Sequence, residues 1–343
     1  MSKRIAILTG GGDCPGLNPA IRGCVMAGID KGYDFVGLQE GWRGLVEGKI
    51  QPLGLADVKE IVGKGGTILG TSRTNPFKKE GAVEKCLATF KNLKLDALVA
   101  LGGEDTLGVA ARFYKEHKMA VVGVPKTMDN DLSSTDYTFG FDTATTLAVD
   151  AVERLRDTGR SHRRIMVLEV MGRHAGWVAL FTAIASAADW VLLPERPTDI
   201  QAMCAHLKKV HARDNVAIVV TSEAIEIPGV KTNGEELDQF GHMLLKNRAI
   251  GETVAGLIEK ETKIETRFAV IGHAQRGGSP TLFDRILGTR VGVKAAELVA
   301  QGQFGQMAAL RGNDVVGVSL EEATAKLKTV PPEWLQFADI FFK

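Results

Sequence analysis

The chain has 343 residues, 45% of them hydrophobic, enough for two domains of ordinary size with cores of their own. Its formal net charge of +1 supplies no long-range field for nucleic acid or an acidic membrane, so any charged site must act locally. Four cysteines without metal-ligand spacing exclude a disulfide framework and point to a reducing cytoplasm.

Lys3 to Leu8 reads as a strand entered directly from the first residues, so no signal peptide is expected. No apolar run reaches the roughly 20 residues that a membrane helix needs. A glycine-rich loop, Thr9-Gly10-Gly11-Gly12-Asp13-Cys14-Pro15-Gly16, then leads into a helix near Pro19 to Lys31. Gly11 and Gly12 would let the backbone approach an anion, with the first amides of that helix as donors. Alone this pattern is weak, because many turns use glycine only for backbone freedom. Cys14 sits where a helix end could lower its pKa, although a small buried cysteine is the commoner case. A second strand, Phe35 to Leu38, precedes the loop Gly70-Thr71-Ser72-Arg73-Thr74, whose hydroxyls and Arg73 suit oxyanions. After a helix near Val83 to Leu93, the apolar strand Ala97 to Leu101 ends in Gly102-Gly103-Glu104-Asp105-Thr106.

The strand Ala120 to Val124 is closed by Pro125 and followed by Lys126, Thr127, Asp129, Asn130 and Asp131 within six residues. Asp129 and Asp131 stand two apart, so on a loop leaving a strand end one can face a proton and the other a cation. A polar turn would use the same residue types. A lysine, a hydroxyl and two carboxylates gathered at one strand end point instead to a ligand.

In the second half, a helix over Thr143 to Thr158 and a basic turn over Arg160 to Arg164 lead to the strand Ile165 to Val170, which ends in Met171-Gly172-Arg173-His174. A helix near Trp177 to Ala187 and strands over Trp190 to Leu193 and Val216 to Thr221 follow, the last ending at Ser222-Glu223. The strand Phe268 to Ile271 ends in Gly272-His273-Ala274-Gln275-Arg276, and helical periodicity from Asp284 to Gln301 precedes a polar tail.

Short apolar strands alternating with helices predict an α/β fold, a parallel sheet with helices on both faces, whose ligands gather outside the carboxyl ends of the strands. Three loops of the first half therefore converge on one crevice. Arg164, Arg173, Arg267, His273 and Arg276 lie near strand ends; singly each is an ordinary surface residue, and jointly they suit a second, anionic substrate. Two anion sites facing a carboxylate pair suggest phosphoryl transfer to a substrate hydroxyl. Asp129 is the candidate base, and Glu104 with Asp131 the candidate holders of Mg²⁺. No Walker A sequence is present. The letters Gly-Gly-Glu-Asp also occur in diguanylate cyclases, but there they belong on a hairpin turn rather than between a buried strand and a helix.

TGGGDCPGLN, GTSRT, LGGEDT, PKTMDND, VMGRHAG, SE and GHAQRGGSP occur in the order and spacing of the phosphofructokinases, which the chain resembles over most of its length. The resemblance implies two Rossmann-like three-layer domains with mostly parallel sheets. A donor domain would comprise residues 1–140 plus about 252–304, and a sugar-phosphate domain about 141–251 plus 305–343. It implies transfer of a phosphoryl group to the 1-hydroxyl of fructose 6-phosphate, with Asp129 as base and Thr127 and Arg173 as catalytic contacts; Lys126, a compact cation beside the transferring group, is a further catalytic candidate. Gly11, Gly12, Arg73, Gly103, Asp105, Thr106 and Lys126 would bind the donor. Met171, Gly172, Glu223, His273 and Arg276, with Thr127, Asp129 and Arg173, would bind the sugar phosphate. Arg164 and Arg267 resemble the two arginines that reach in from a neighbouring subunit of a homodimer or homotetramer.

The common ATP-dependent members carry Asp then Gly after the paired glycines, and Gly after the proline. Here Glu104, Asp105 and Lys126 stand at those positions, a combination similar to the pyrophosphate-dependent branch and, at Glu104, to the actinobacterial type that contains both donor preferences. Pyrophosphate is therefore the expected donor and ATP the alternative. Met26 one turn after Arg22, and Asp214-Asn215 in a stretch rich in lysine in regulated members, argue against strong effector control.

Overall fold

The computed structural model describes residues 3–228 and 249–342. The first half alternates as expected: β1 (Arg4–Thr9), α1 (Leu17–Ile29), β2 (Asp34–Leu38), α2 (Trp42–Glu47), β3 (Ile50–Pro52), α3 (Leu55–Val58), α4 (Ala82–Asn92), β4 (Ala97–Gly102), α5 (Glu104–His117) and β5 (Val121–Pro125). Then come α6 (Phe141–His162), β6 (Ile165–Val170), α7 (Trp177–Ala185), β7 (Trp190–Leu192), α8 (Ile200–Asp214), β8 (Ala217–Ser222), α9 (Ile250–Thr262) and β9 (Thr266–Val270). The chain closes with α10 (Leu282–Ala300), β10 (Gln306–Arg311), β11 (Asp314–Ser319), α11 (Leu320–Thr324) and α12 (Pro332–Ala338).

Two sheets result. A seven-stranded sheet runs β11-β10-β5-β4-β1-β2-β3, parallel except for its two edge strands, and a four-stranded parallel sheet runs β7-β8-β6-β9. Strand β4 shows why the central strands read as unbroken apolar runs: all six of its residues are buried, because helices cover both faces. Each such leucine or valine contributes on the order of 1.5–3 kcal/mol by leaving water.

The expected division of the chain needs correction. Residues 252–304 do not all belong with the donor side, since β9 pairs with β6 in the small sheet and α9 packs on both strands, whereas α10 lies against α1. Residues 305–343 do not all belong with the sugar side, since β10 pairs with β5 and β11 in the large sheet. Only the last segment returns to the small sheet's layer, where Arg196 pairs with Asp339 at 2.5 Å and the Trp177 indole donates to Lys328 O at 2.9 Å. Sheet membership is decided by hydrogen-bond partners, which the sequence does not display. The basic turn also shifts, because Arg160 to His162 form the last turn of α6 and the helix ends at Arg163 in a left-handed conformation, φ 55°.

Where the chain crosses back, α6 and α10 clasp each other by their first turns. Buried Asp284 accepts from Thr143 N at 2.8 Å and Thr143 Oγ1 at 2.6 Å, and Asp142 accepts from Thr281 Oγ1 at 2.5 Å. Asp284 of α10 thus satisfies an N-terminal backbone donor of α6, while the Thr281 hydroxyl, which caps α10 through Asp284 N, is tied to Asp142 of α6. The turn Gly272–Arg276, a few residues before α10, packs against α6.

Candidate active site

The two sheets face one cleft of about 370 Å³. On the large-sheet side, the ends of β1, β4 and β5, adjacent in the sheet, deliver Gly11-Gly12-Asp13, Gly103 to Thr106, and Lys126 to Asp131. On the small-sheet side, the ends of β6, β8 and β9 deliver Met171 and Arg173, Glu223, and His273 and Arg276. Arg73 lines the same cleft. Every candidate residue is therefore assembled in one place except Gly172, which lies just behind, and Arg164 and Arg267, which lie elsewhere.

The glycine-rich loop is held from beneath. The Lys126 ammonium, buried, donates to Gly12 O at 2.5 Å, Thr71 Oγ1 donates to Gly11 O at 2.6 Å, and Gly11 N donates to Ser72 O at 3.1 Å. Burial pushes the Lys126 pKa down, and the Arg276 charge adds to that. The hydroxyls of residues 71 and 72 thus buttress the loop rather than face a ligand, and only Arg73 of that segment reaches the cleft. Nor does α1 present its N-terminus to the cleft. Its N-cap Gly16 packs on Phe139, and Cys14, buried, has its thiol pushed up to about 12 by desolvation, so the small-cysteine reading holds. The helix that does point its first turn into the cleft is α5, and it carries Glu104 and Asp105 there. Two carboxylates thus occupy the positive end of α5, where they are favoured by its dipole and where a phosphate would otherwise sit.

Asp129 lies between the halves. Its backbone N–H donates to Thr127 Oγ1 at 3.1 Å, and its Oδ1 is buried with no hydrogen-bond partner among the described residues. Desolvation, with the Asp131 charge second, raises its carboxyl to about 7, against opposing effects of Arg276 and Lys126. A carboxylate with an unfilled acceptor and a pKa near neutrality has the properties of a general base. Glu104 and Asp131 line the cleft beside it. Mg²⁺ commonly takes one or two carboxylates and completes its shell with phosphates and water, so these two side chains could hold it.

On the sugar side Gly172 has φ 148°, and a Cβ there would fall 2.8 Å from Ala175 O, so this turn requires glycine. Its N–H donates to Glu223 Oε1 at 3.3 Å, and burial raises the Glu223 pKa. Arg276 crosses the cleft: a Cβ on Gly12 would fall 1.6 Å from its Nη1, so the small-sheet arginine already touches the donor loop.

Two contributors escaped sequence reasoning. Gln275, fully buried, accepts from Met171 N at 2.8 Å and donates to Ala144 O at 3.3 Å, tying the turn that carries His273 and Arg276 to the end of β6 and to α6. Nothing in the sequence marks it apart from its neighbours. Glu169 also lines the cleft and accepts from Gly251 N at 2.6 Å; the signal was available, an acid inside the apolar run Ile165–Val170.

Arg164 and Arg267 both pair with Glu265, at 2.8 and 2.5 Å. They sit at the amino ends of β6 and β9, outside the cleft lining; at about 3.3 Å per strand residue, the backbone of Arg164 lies roughly 16 Å from that of cleft-lining Glu169, and that of Arg267 roughly 10 Å from that of cleft-lining Val270. Beside them β9 is a sheet edge whose Phe268 and Val270 are 43% and 53% exposed.

Comparison with known proteins bears on this geometry. A family profile described as Phosphofructokinase matches residues 4–299. The chain is 51% identical to a protein of Amycolatopsis methanolica named pyrophosphate--fructose 6-phosphate 1-phosphotransferase, over 99% of both chains. It is 44% identical to one of Mycobacterium leprae named ATP-dependent 6-phosphofructokinase, again over 99% of both. Among solved structures, Pichia pastoris phosphofructokinase in the T-state is similar with a TM-score of 0.81 and 31% identity; 99% of this chain is covered, and it spans 36% of that longer chain.

Proposed function

We propose, from the premise that this chain belongs to the phosphofructokinase family, that it transfers a phosphoryl group from pyrophosphate to the 1-hydroxyl of fructose 6-phosphate. The products are fructose 1,6-bisphosphate and phosphate, the reaction is reversible, and its place is glycolysis. The observation that carries the choice of donor is Asp105 in the first turn of α5, at the donor end of the cleft, with Lys126 buried under the Gly11-Gly12 loop. A nucleotide must pass its α-phosphate by that carboxylate. At about 4 Å and a near-surface dielectric, the like-charge pair costs roughly 4 kcal/mol before salt and water relax it. Pyrophosphate ends before that point, and the compact Lys126 cation favours a small, highly charged donor.

In this reading the 1-hydroxyl gives its proton to Asp129 as its oxygen forms the new bond to phosphorus. The bond to the bridging oxygen of pyrophosphate breaks and phosphate leaves. In reverse, Asp129 returns the proton. Thr127 and Arg173 contact the transferring group, and Met171, Gly172, Glu223, His273 and Arg276 orient the sugar phosphate. Glu104 and Asp131 would hold Mg²⁺, which neutralises charge on the donor. Arg164 and Arg267, outside the lining of their own cleft and next to an exposed sheet edge, are proposed to complete the sugar site of a neighbouring copy in a homodimer or homotetramer, an arrangement that two-fold symmetry permits. Four buried free cysteines accord with a reducing cytoplasm, and among the described residues no helix is long and apolar enough to cross a membrane.

The test is a coupled assay with fructose 6-phosphate and Mg²⁺, run separately with pyrophosphate and with ATP. Bisphosphate formation with pyrophosphate and little with ATP is expected. Equal rates with both donors would replace the reading by an ATP-using enzyme, and no product with either would reject it.

A further inference from the structure

The segment after α11 does more than end the chain. Residues 326–330 run antiparallel along the loop that follows β5. Leu327 bridges Leu132, Ser133 Oγ donates to Lys326 O at 2.8 Å, and Lys328 N donates to Asp131 O at 2.7 Å. From this segment Lys328 sends its ammonium under the loop, where Nζ donates to Asn130 Oδ1 at 3.0 Å, Thr135 O at 3.0 Å and Asp136 O at 2.9 Å. All three of its donors are thus used. Its carbonyl accepts from the Trp177 indole at 2.9 Å, and two residues on, Val330 N donates to Glu195 at 2.9 Å, so the segment is anchored on the small-sheet side.

Asn130 is the pivot. It separates Asp129 from Asp131, is 1% exposed, and holds a left-handed backbone, φ 53°. Such a conformation in a residue other than glycine persists when its surroundings fix it. Here its side-chain oxygen is held by Thr138 N at 3.1 Å and by Lys328. The left-handed step falls between two carboxylates that both line the cleft, Asp129 and Asp131, so it sets how the backbone presents each of them.

We infer that Lys328 is a positioning residue for the transfer reaction. From the C-terminal segment it locks the Asn130 kink and thereby aims Asp129. The inference rests on Asp129 being the base, so its test includes a readout that does not depend on chemistry. In Lys328→Met, which keeps the stem and loses the donors, turnover is expected to fall about 10- to 100-fold, because small misplacement of a reacting group costs on that order. The KM for fructose 6-phosphate should move less than about twofold, since apart from Thr127 and Asp129 the sugar contacts sit on other elements. Lys328→Cys, aminoethylated to regenerate an ammonium of nearly lysine length, should recover most of the loss; the four native cysteines are buried and would be spared. Combining Lys328→Met with Asn130→Ala should do little more harm than the worse single change. Amide exchange of residues 129–138 in the full-length protein should quicken in Lys328→Met whatever the substrate proves to be. Unchanged exchange, turnover within about twofold of native, a proportional change in KM, no rescue by aminoethylation, or additive losses in the double variant would each overturn the assignment. A native enzyme inactive with both donors would instead count against the function and leave the exchange result to decide on Lys328.

Discussion

The two walls of the cleft are built in different ways. The donor wall is a glycine-rich loop with the acids Glu104 and Asp105 beside it, and the loop is braced from within: Lys126 to Gly12, Thr71 to Gly11, Gly11 to Ser72. The sugar wall is made of long charged side chains, Arg173, Glu223, His273 and Arg276, raised on a small sheet with an exposed edge. A preset wall selects by volume and charge, since little in it can move aside. A wall of long side chains selects by ion pairing, and it can be completed from outside. The donor wall is therefore where the choice of donor should reside, and the sugar wall where dependence on a partner should show.

The largest expected effect comes from the group that both walls share. Asp129→Ser should lower turnover by about 10²- to 10⁴-fold while leaving the apparent affinities on both sides nearly intact. Near-normal turnover in steady-state assays would remove the base. Next comes the partner contribution. Loss of a charged hydrogen-bonding group is worth about 1.5–3 kcal/mol, so Arg164→Ala should raise the KM for fructose 6-phosphate roughly 10- to 100-fold with the pyrophosphate KM unchanged. Mixing it with Asp129→Ser chains should then rebuild some sites with both native groups. If subunits exchange and no activity returns, the site is not shared.

Gln275→Leu sharpens the contrast from within one chain. Breaking its bonds to Met171 and Ala144 should weaken sugar-phosphate binding about 5- to 30-fold, as loss of a buried hydrogen-bonding group of about 1–2 kcal/mol implies, without affecting pyrophosphate. Equal loss for both substrates would mean that the walls are not separable. The smallest effect of this set is the pH dependence. With its carboxyl raised to about 7, Asp129 is an active base only when ionised, so forward kcat/KM should climb as pH rises through about 7 and then level. The reverse reaction needs the protonated form and should fall over the same range. The residual rate of Asp129→Ser should lack that limb, and a limb that persists belongs to another group.

Much of this was legible in the sequence, and the illegible parts share a cause. Strands β1, β4, β5 and β6 announce themselves because buried parallel strands are continuous apolar runs, and the loops that follow them carry the glycines and acids that line the cleft. The polar tail proved to contain the hairpin β10–β11, whose turn signal Arg311-Gly312-Asn313-Asp314 was there to be read. The roles of Gln275 and Lys328 could not be read, because each depends on carbonyls and amides more than a hundred residues away. The GTSRT hydroxyls misled for the same reason: in isolation they suit an anion, and in the fold main-chain carbonyls take them. Side-chain chemistry is visible in a sequence, but its partner is not.

The central claim is that the donor wall admits pyrophosphate and turns ATP away at Asp105, and it is tested most directly by kcat/KM for each donor in the native enzyme and in Asp105→Gly. The account predicts that the native enzyme strongly prefers pyrophosphate and that Asp105→Gly gains at least about tenfold for ATP, a fraction of the roughly 4 kcal/mol of unrelaxed repulsion, while keeping its sugar KM. A native enzyme that uses ATP as well as pyrophosphate, or an Asp105→Gly variant with no gain for ATP, would contradict it.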